Sequence, residues 1–404
     1  MPADPHPDRS RLTSPAGPGR AKSVRDLGLS AGSDLRWWLR QDLPLLVAVL
    51  GVCLVGALLV WSATHREAGT AYLVRHLLNT AIGLALAMGV TRLGRQGIRT
   101  FAPWVFVASI AGLIAVLSPL GATINGSRSW IPVAAGFTLQ PAEFAKVGLV
   151  VLLAMVFADR WDRGIPPTHR DVIVAWLLAA VPIGLVMLQP DLGSAIVLLA
   201  LAFVTIAVAG VAKRWVFAVA ALGVAGIVLA FTTPLLSGYQ RDRLLVFLHP
   251  ETDPLGAGFQ LTQVRAAVAG GGVWGQGFMS GRQTQAGAVP YQLNDFIFSA
   301  AAEELGFVGA GALVLLLGFV VVRVLLVAAR AHDAFGALVG AGVGTWLAFQ
   351  VFQNVGMNLG LVPVTGLPLP FVSYGGSSMF AAWIAIGVVN ASYAAESRGP
   401  TFFR

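Results

Sequence analysis

Glu143 and Lys146 stand three residues apart, which places them on one face of a helix where a carboxylate and an ammonium can pair. Two readings follow. The pair neutralises itself as a structural contact, or Lys146, with Arg128 close by in sequence, makes a cationic site suited to a phosphate or pyrophosphate. Asp191 follows Pro190 ahead of an apolar run, where a carboxylate caps a helix and suits its dipole. Asp295 occupies the same kind of place, after Asn294 and before Phe296, Ile297 and Phe298, so capping and acid–base chemistry are both open to it. Glu303 and Glu304 follow within an apolar run and read as packing or hydrogen-bonding groups rather than catalysts. Ser373, Tyr374, Gly375, Gly376, Ser377 and Ser378 begin another apolar run, either for close helix packing or to hydrogen-bond a polar headgroup. Gly270 to Gly272 with Gly275 and Gly277 reads as a tight turn. It has neither the preceding strand nor the Gly-Lys-Ser/Thr ending of a phosphate-cradling loop.

The elements that must hold these residues are set by composition. Of 404 residues 56% are apolar and 11% charged, against about 25% charged in an ordinary soluble domain. A soluble globular protein is excluded. Uncharged stretches such as Leu43 to Ala63 and Trp215 to Leu236 are long enough for a hydrocarbon core about 30 Å thick. Ten apolar segments can be counted, near 43–63, 76–92, 101–119, 143–158, 172–188, 192–211, 215–236, 296–322, 334–357 and 374–395. The expectation is an all-α polytopic integral membrane protein with ten transmembrane helices. The first segment is read as retained, because it begins 42 residues in behind a tail with no cleavage-type motif. The single cysteine, Cys53, lies inside it and reads as a small core residue.

An even number of spans puts both ends on one side. With that side in the cytoplasm, nineteen of the 27 Lys and Arg fall inside, so the orientation is N-in, C-in and the net charge of +8 has a topological origin rather than a nucleic-acid one. Residues 1–41, rich in Pro, Ser, Gly and Arg, read as a disordered cytoplasmic tail. Residues 42–395 form the membrane domain and 396–404 a second cytoplasmic tail. The connection of about 237–295 is outside and has room for structure of its own. Under this topology the polar groups collect at the outer surface: Asn125, Arg128, Trp130, Glu143, Lys146, Asp191, Arg241, Arg243, Gln260, Arg265 and Asp295. A transporter would more often hold such groups near the midplane.

Six motifs now stand in order: NGSRSW (125–130), QPAEFAK (140–146), QPDLGS (189–194), RDRLLVFLHPETDPLGAGFQ (241–260), NDFIFSAAAEELGFVG (294–309) and NLGLVPVTGLPLPFVSYGGSS (358–378). In order and spacing they resemble the SEDS family of shape, elongation, division and sporulation proteins. The likeness covers about residues 43–395. The VTGLPLPFVSYGGSS stretch and the QTQ at 283–285 look more like the elongation (RodA-type) branch than the division (FtsW-type) branch.

The resemblance implies a ten-helix SEDS fold and a peptidoglycan glycosyltransferase in a bacterial cytoplasmic membrane. Its substrate would be lipid II, the undecaprenyl-pyrophosphate-linked disaccharide-pentapeptide, polymerised at the outer face during elongation and shape maintenance. It maps the family's essential acidic residue onto Asp295 as the catalytic group. Glu143, Lys146 and Asp191 take further family positions, and with Arg128, Arg243 and Ser377 they form the expected substrate-binding set. A class B penicillin-binding protein is the implied partner. Where the family commonly has Pro-Glu-x-x-Thr-Asp, this chain has Pro290, Tyr291, Gln292, Leu293, Asn294, Asp295, so Glu is replaced by Tyr and Thr by Asn. Asp295 as base, with Lys146 and Arg128 on the pyrophosphate, suits transfer of a GlcNAc 4-hydroxyl to a MurNAc anomeric carbon. A divalent cation (Mg2+ or Mn2+) held by Asp295 and Asp191 is the alternative use of the two carboxylates. Two rival functions are a lipid II flippase or exporter and a non-catalytic scaffold for the penicillin-binding protein.

Overall fold

The computed structural model describes residues 41–124, 127–133, 138–232, 246–247, 249, 253 and 256–396. The two expected tails, Asn125, and Arg241 and Arg243 of the long connection lie outside the described residues, apart from Gln41 and Glu396. The helices are α1 (Leu43–Ala68), α2 (Ala71–Leu117), α3 (Pro141–Trp161), α4 (His169–Met187), α5 (Leu192–Val208), α6 (Lys213–Thr232), α7 (Ala257–Gly270), α8 (Arg282–Gln285), α9 (Ile297–Arg330), α10 (Ala334–Asn358) and α11 (Gly376–Glu396). Seven of the described helices, α1, α2, α3, α4, α9, α10 and α11, are long and apolar enough to cross a membrane, and α5 is a shorter apolar helix of 17 residues.

Two of the apolar segments, 76–92 and 101–119, belong to one bent helix. A straight helix of 47 residues would run about 70 Å, more than twice the hydrocarbon thickness. Gly94 breaks α2 with φ 65° and ψ −179°, a backbone conformation open to glycine at little cost. The two halves pack on different neighbours. In the first half Gly83 lies under Trp383 of α11, and Ala87 meets Gly387 so closely that a Cβ on Gly387 would stand 2.6 Å from the Ala87 carbonyl oxygen. Small residues of this kind let helix backbones approach where water supplies no driving force. In the second half Phe106 packs against Gly148 of α3.

Charged residues tie the helix ends together, two of them, Arg95 and Arg99, just after the α2 break. Arg95 pairs with Asp333 at 2.8 Å, Arg99 with Asp159 at 2.7 Å and Arg160 with Asp171 at 3.0 Å, while Arg323 pairs with Asp42. Asp42 also caps α1, accepting from the Leu45 N–H at 2.9 Å.

The expectation of helices alone needs one correction. Between α2 and α3 lie three short antiparallel strands, β1 (Ala122–Ile124), β2 (Ser127–Pro132) and β3 (Thr138–Leu139), in the order β1-β2-β3. Thr123 pairs with Arg128 and Ile131 with Leu139. Strands this short, two to six residues, carry too few alternating positions to register as a pattern in sequence.

The long connection does contain structure: α7, α8 and a glycine-rich turn between them. That turn completes a break in α9 at Gly306 (φ 68°, ψ −171°). Breaking a helix frees carbonyls before the break and N–H groups after it, and each must find a partner. The Glu303 and Glu304 carbonyls accept from Gln276 and Gly277 at 2.9 and 3.0 Å, and the Phe307 and Val308 N–H groups donate to Gly272 and Val273 at 2.9 and 3.1 Å. Gly275 is required by contact as well as by its φ of 83°, because a Cβ there would lie 2.2 Å from the Glu304 carbonyl oxygen.

Candidate active site

The QPAEFAK stretch begins α3, with Pro141 at its first position. Glu143 and Lys146 form an ion pair of 2.7 Å with side chains only 1% and 0% exposed, so every partner they have is internal. The Lys146 ammonium also donates to Gln350 Oε1 at 3.3 Å and stands 4.7 Å over the Trp346 ring. Gln350 is itself fixed: its Oε1 accepts from Trp346 Nε1 at 2.6 Å and its Nε2 donates to the Pro368 carbonyl at 2.8 Å. One carboxylate oxygen, Glu143 Oε2, is buried with no hydrogen-bond partner among the described residues. A buried carboxylate with an open acceptor depends on its cation.

Asp191 caps α5, accepting from the Ser194 N–H at 3.0 Å and the Ser194 hydroxyl at 2.8 Å. Its carboxylate also takes the Gln140 amide at 3.2 Å. Ser377, buried at the start of α11, accepts from the Gln140 N–H at 3.0 Å and donates to the Thr138 carbonyl at 3.0 Å. Gln140 therefore joins Ser377, Asp191 and the first turn of α3, where its carbonyl accepts from the Glu143 N–H at 3.2 Å. Sequence reading did not single it out, although its place directly before Pro141 at a helix start was a signal.

Arg128, on β2, donates to the Gly121 carbonyl at 3.2 Å and the Ser118 carbonyl at 2.7 Å. The neighbouring Ser127 hydroxyl donates to the Gln189 carbonyl at 2.8 Å. The hairpin is thereby fastened to the ends of α2 and α4, with half-buried Arg128 in that joint.

Asp295 lies in the turn leading to α9. The cap position belongs to Phe296, which makes no side-chain cap. The capping acceptor comes instead from α10, where Asn358 Oδ1 takes the Ser299 N–H at 3.1 Å. Half-buried Asp295 is held through its main chain. Its carbonyl accepts from Asn354 Nδ2 at 2.8 Å and Asn358 Nδ2 at 3.3 Å, and its N–H donates to the Tyr291 carbonyl at 3.1 Å. Tyr291 is exposed and adopts φ 55°.

Trp346, Gln350, Asn354 and Asn358 follow one another at intervals of four and so share one face of α10. The first two hold Lys146 and the last two hold the Asp295 carbonyl. One helix face thus joins the cationic and the acidic parts of the site, with successive residues about 6 Å apart along the axis. The i, i+4 amides inside an apolar segment were the signal that sequence reading passed over.

Glu303 and Glu304 serve the expected hydrogen-bonding role. Glu303 accepts from the Gln283 N–H at 2.7 Å, the Thr284 N–H at 2.9 Å and the Thr284 hydroxyl at 2.7 Å, and so holds the start of α8. Glu304 accepts from Ser62 of α1 at 2.6 Å and from Gln285 at 3.1 Å. The QTQ residues are thus ordered by two buried carboxylates. Among the described residues no group of three or more His, Cys, Asp or Glu could hold a metal ion. Cys53 is buried and free.

Comparison with known proteins places this arrangement among relatives. Residues 39–397 match the FtsW/RodA/SpoVE family, described as cell cycle proteins. The chain is 33% identical over 354 residues to the peptidoglycan glycosyltransferase MrdB of Escherichia coli K12, covering 86% of this chain and 92% of that one. Among solved structures it is similar to a chain of a peptidoglycan synthase complex that coordinates polymerization and crosslinking, with TM-score 0.75, 33% identity, and 90% and 100% of the two chains covered. It is also similar to the rod shape determining protein RodA of Thermus thermophilus, with TM-score 0.65, 30% identity, and 88% and 97% covered.

Proposed function

The chain belongs to the FtsW/RodA/SpoVE family, and from that membership we propose that it is a peptidoglycan glycosyltransferase polymerising lipid II for cell elongation and shape maintenance. The observation that carries the reading is the single face of α10 that links the buried Glu143–Lys146 ion pair to the main chain of Asp295. In the reaction the Asp295 carboxylate takes the proton of a GlcNAc 4-hydroxyl as that oxygen bonds to the MurNAc anomeric carbon. The bond from that carbon to the pyrophosphate oxygen breaks, and the electron pair leaves with undecaprenyl pyrophosphate. A pyrophosphate departs as an anion, so one carboxylate suffices and the paired acids of a glycosidase are not needed.

The negative charge growing on the leaving group calls for nearby positive charge in a site that excludes water. Lys146 supplies it in this proposal, paired with Glu143 at 2.7 Å, with Arg128 at the outer hairpin as the second cation. Asp191 and Ser377 fix the walls through Gln140, and Arg243 contributes from the long loop. A class B penicillin-binding protein crosslinks the product. Purified in detergent and given fluorescent lipid II, the chain is expected to form glycan polymer. Translocation of lipid II in proteoliposomes without polymer would instead support the flippase reading.

The same proposal sets the chain in the cytoplasmic membrane with ten spans, both termini inside, and the two halves of α2 as separate spans. The buried Cys53 leaves introduced cysteines as the reactive ones. Ser280→Cys, exposed in the glycine-rich turn, is expected to label from outside intact cells with a membrane-impermeant maleimide, and Arg163→Cys only after permeabilisation. The reverse pattern would invert the orientation.

A further inference from the structure

We propose that Asn354, Asn358 and Ser373 are positioning residues that hold Asp295 in register for proton abstraction, acting on the peptide carbonyls around it. The inference rests on the reading of Asp295 as the base. The turn that carries Asp295 has little internal support, since the Asn294 and Asp295 N–H groups both donate to the Tyr291 carbonyl at 3.1 Å, and Tyr291 itself is exposed with φ 55°. A turn of this kind fixes its own backbone only loosely, whereas a catalytic group must be held to within roughly 0.5 Å.

Every carbonyl from Leu293 to Asp295 is instead held from outside the turn. The Leu293 carbonyl accepts from the Tyr374 N–H at 2.9 Å and the Asn294 carbonyl from the Ser373 hydroxyl at 2.5 Å. The Asp295 carbonyl takes both asparagine amides. The holders are braced in turn. Ser373 Oγ accepts from the Leu369 N–H at 2.7 Å, and Asn354 Nδ2 also donates to the Leu367 carbonyl at 2.7 Å. Asn358 Nδ2 donates to the Asn354 carbonyl at 2.9 Å while its Oδ1 caps α9.

The cost of these groups argues for a role. Asn354 and Asn358 are fully buried on a helix that is otherwise mostly apolar, and an amide there is unfavourable unless its donors are used. The side-chain donors of both converge on the Asp295 carbonyl. Side chains that merely packed α10 against its neighbours would be met as well by leucine. An amide clamp on a peptide group fixes the Cα of Asp295 and so the arc its carboxylate sweeps.

The test uses the full chain co-expressed with a class B penicillin-binding protein, with lipid II polymerisation rates resolved into kcat and KM beside the thermal unfolding midpoint. Asn354→Leu, similar in shape but without the N–H donors, and Ser373→Ala are expected to lower kcat by about 10- to 100-fold, the scale of a misplaced reacting group, with KM within about two-fold. Gln353→Ala is the matched control, because Gln353 lies beside Asn354 and donates to the Pro363 carbonyl at 3.0 Å without touching Asp295. It is expected to keep kcat within about two-fold while losing a comparable hydrogen bond. If Asn354→Leu does not fold, Asn358→Ala and Ser373→Ala carry the test. Unchanged kcat in the folded variants, or an equal loss in Gln353→Ala, would overturn the positioning role. Full activity of Asp295→Ala would overturn the underlying reading of Asp295 itself.

Discussion

Asp295→Ala is expected to lower lipid II polymerisation by about 10²- to 10⁴-fold, the range over which a positioned general base contributes, while the protein remains folded. The second half of that expectation follows from how the residue is held. The contacts that fix it from α10 run to its carbonyl oxygen, and a carbonyl is present whatever the side chain. The Ser299 N–H still donates to Asn358 Oδ1, and the Asn294 carbonyl still accepts from Ser373. Loss of activity with an unchanged unfolding midpoint would therefore assign the effect to the carboxylate. Asp295→Asn, which keeps shape and removes basicity, should fall as far. Activity within ten-fold of the natural sequence in both variants would mean that the proton is taken by another group.

The second large effect concerns stability. Lys146→Met leaves the Glu143 carboxylate in a site with about 1% exposure, without its ammonium and with Oε2 already lacking a partner among the described residues. Removing one member of such a pair costs about 3–5 kcal/mol, because the remaining charge is neither hydrated nor paired. Glu143→Gln in the Lys146→Met background removes that charge, and the double variant should recover most of the lost stability. Polymerisation should not return with it, since the cation needed by the leaving pyrophosphate is gone. Thermal unfolding in detergent, read beside polymer formation, separates the two. A cost below about 1 kcal/mol for the single variant would show that the pair is reached by water.

These two expectations differ in how visible they were from sequence. The Glu143–Lys146 pair is local, three residues apart on one helix, and could be read directly. So could the cap at Asp191, where Pro190 ends one element and an apolar run begins another, and the apolar segments themselves. The partners that give the pair its character are distant: Gln350 lies 204 positions from Lys146, and no spacing rule reaches that far. Asp295 shows the opposite failure. Local pattern suggested a helix cap, yet Phe296 holds the cap position and the capping oxygen comes from Asn358, 59 positions from Ser299. The three short strands were missed because their pairing, not their composition, defines them. The glycine-rich stretch reads as a turn from its composition, but its purpose depends on a break in α9 that Gly306 alone does not announce.

The central claim is that this chain builds glycan, and its most direct measurement is strand formation from fluorescent lipid II by the purified chain bound to a class B penicillin-binding protein, with the complex verified before assay. The account predicts polymer from the natural sequence, lost in Asp295→Ala at equal amounts of folded complex. No polymer from a verified complex, or polymer undiminished in the variant, would contradict it.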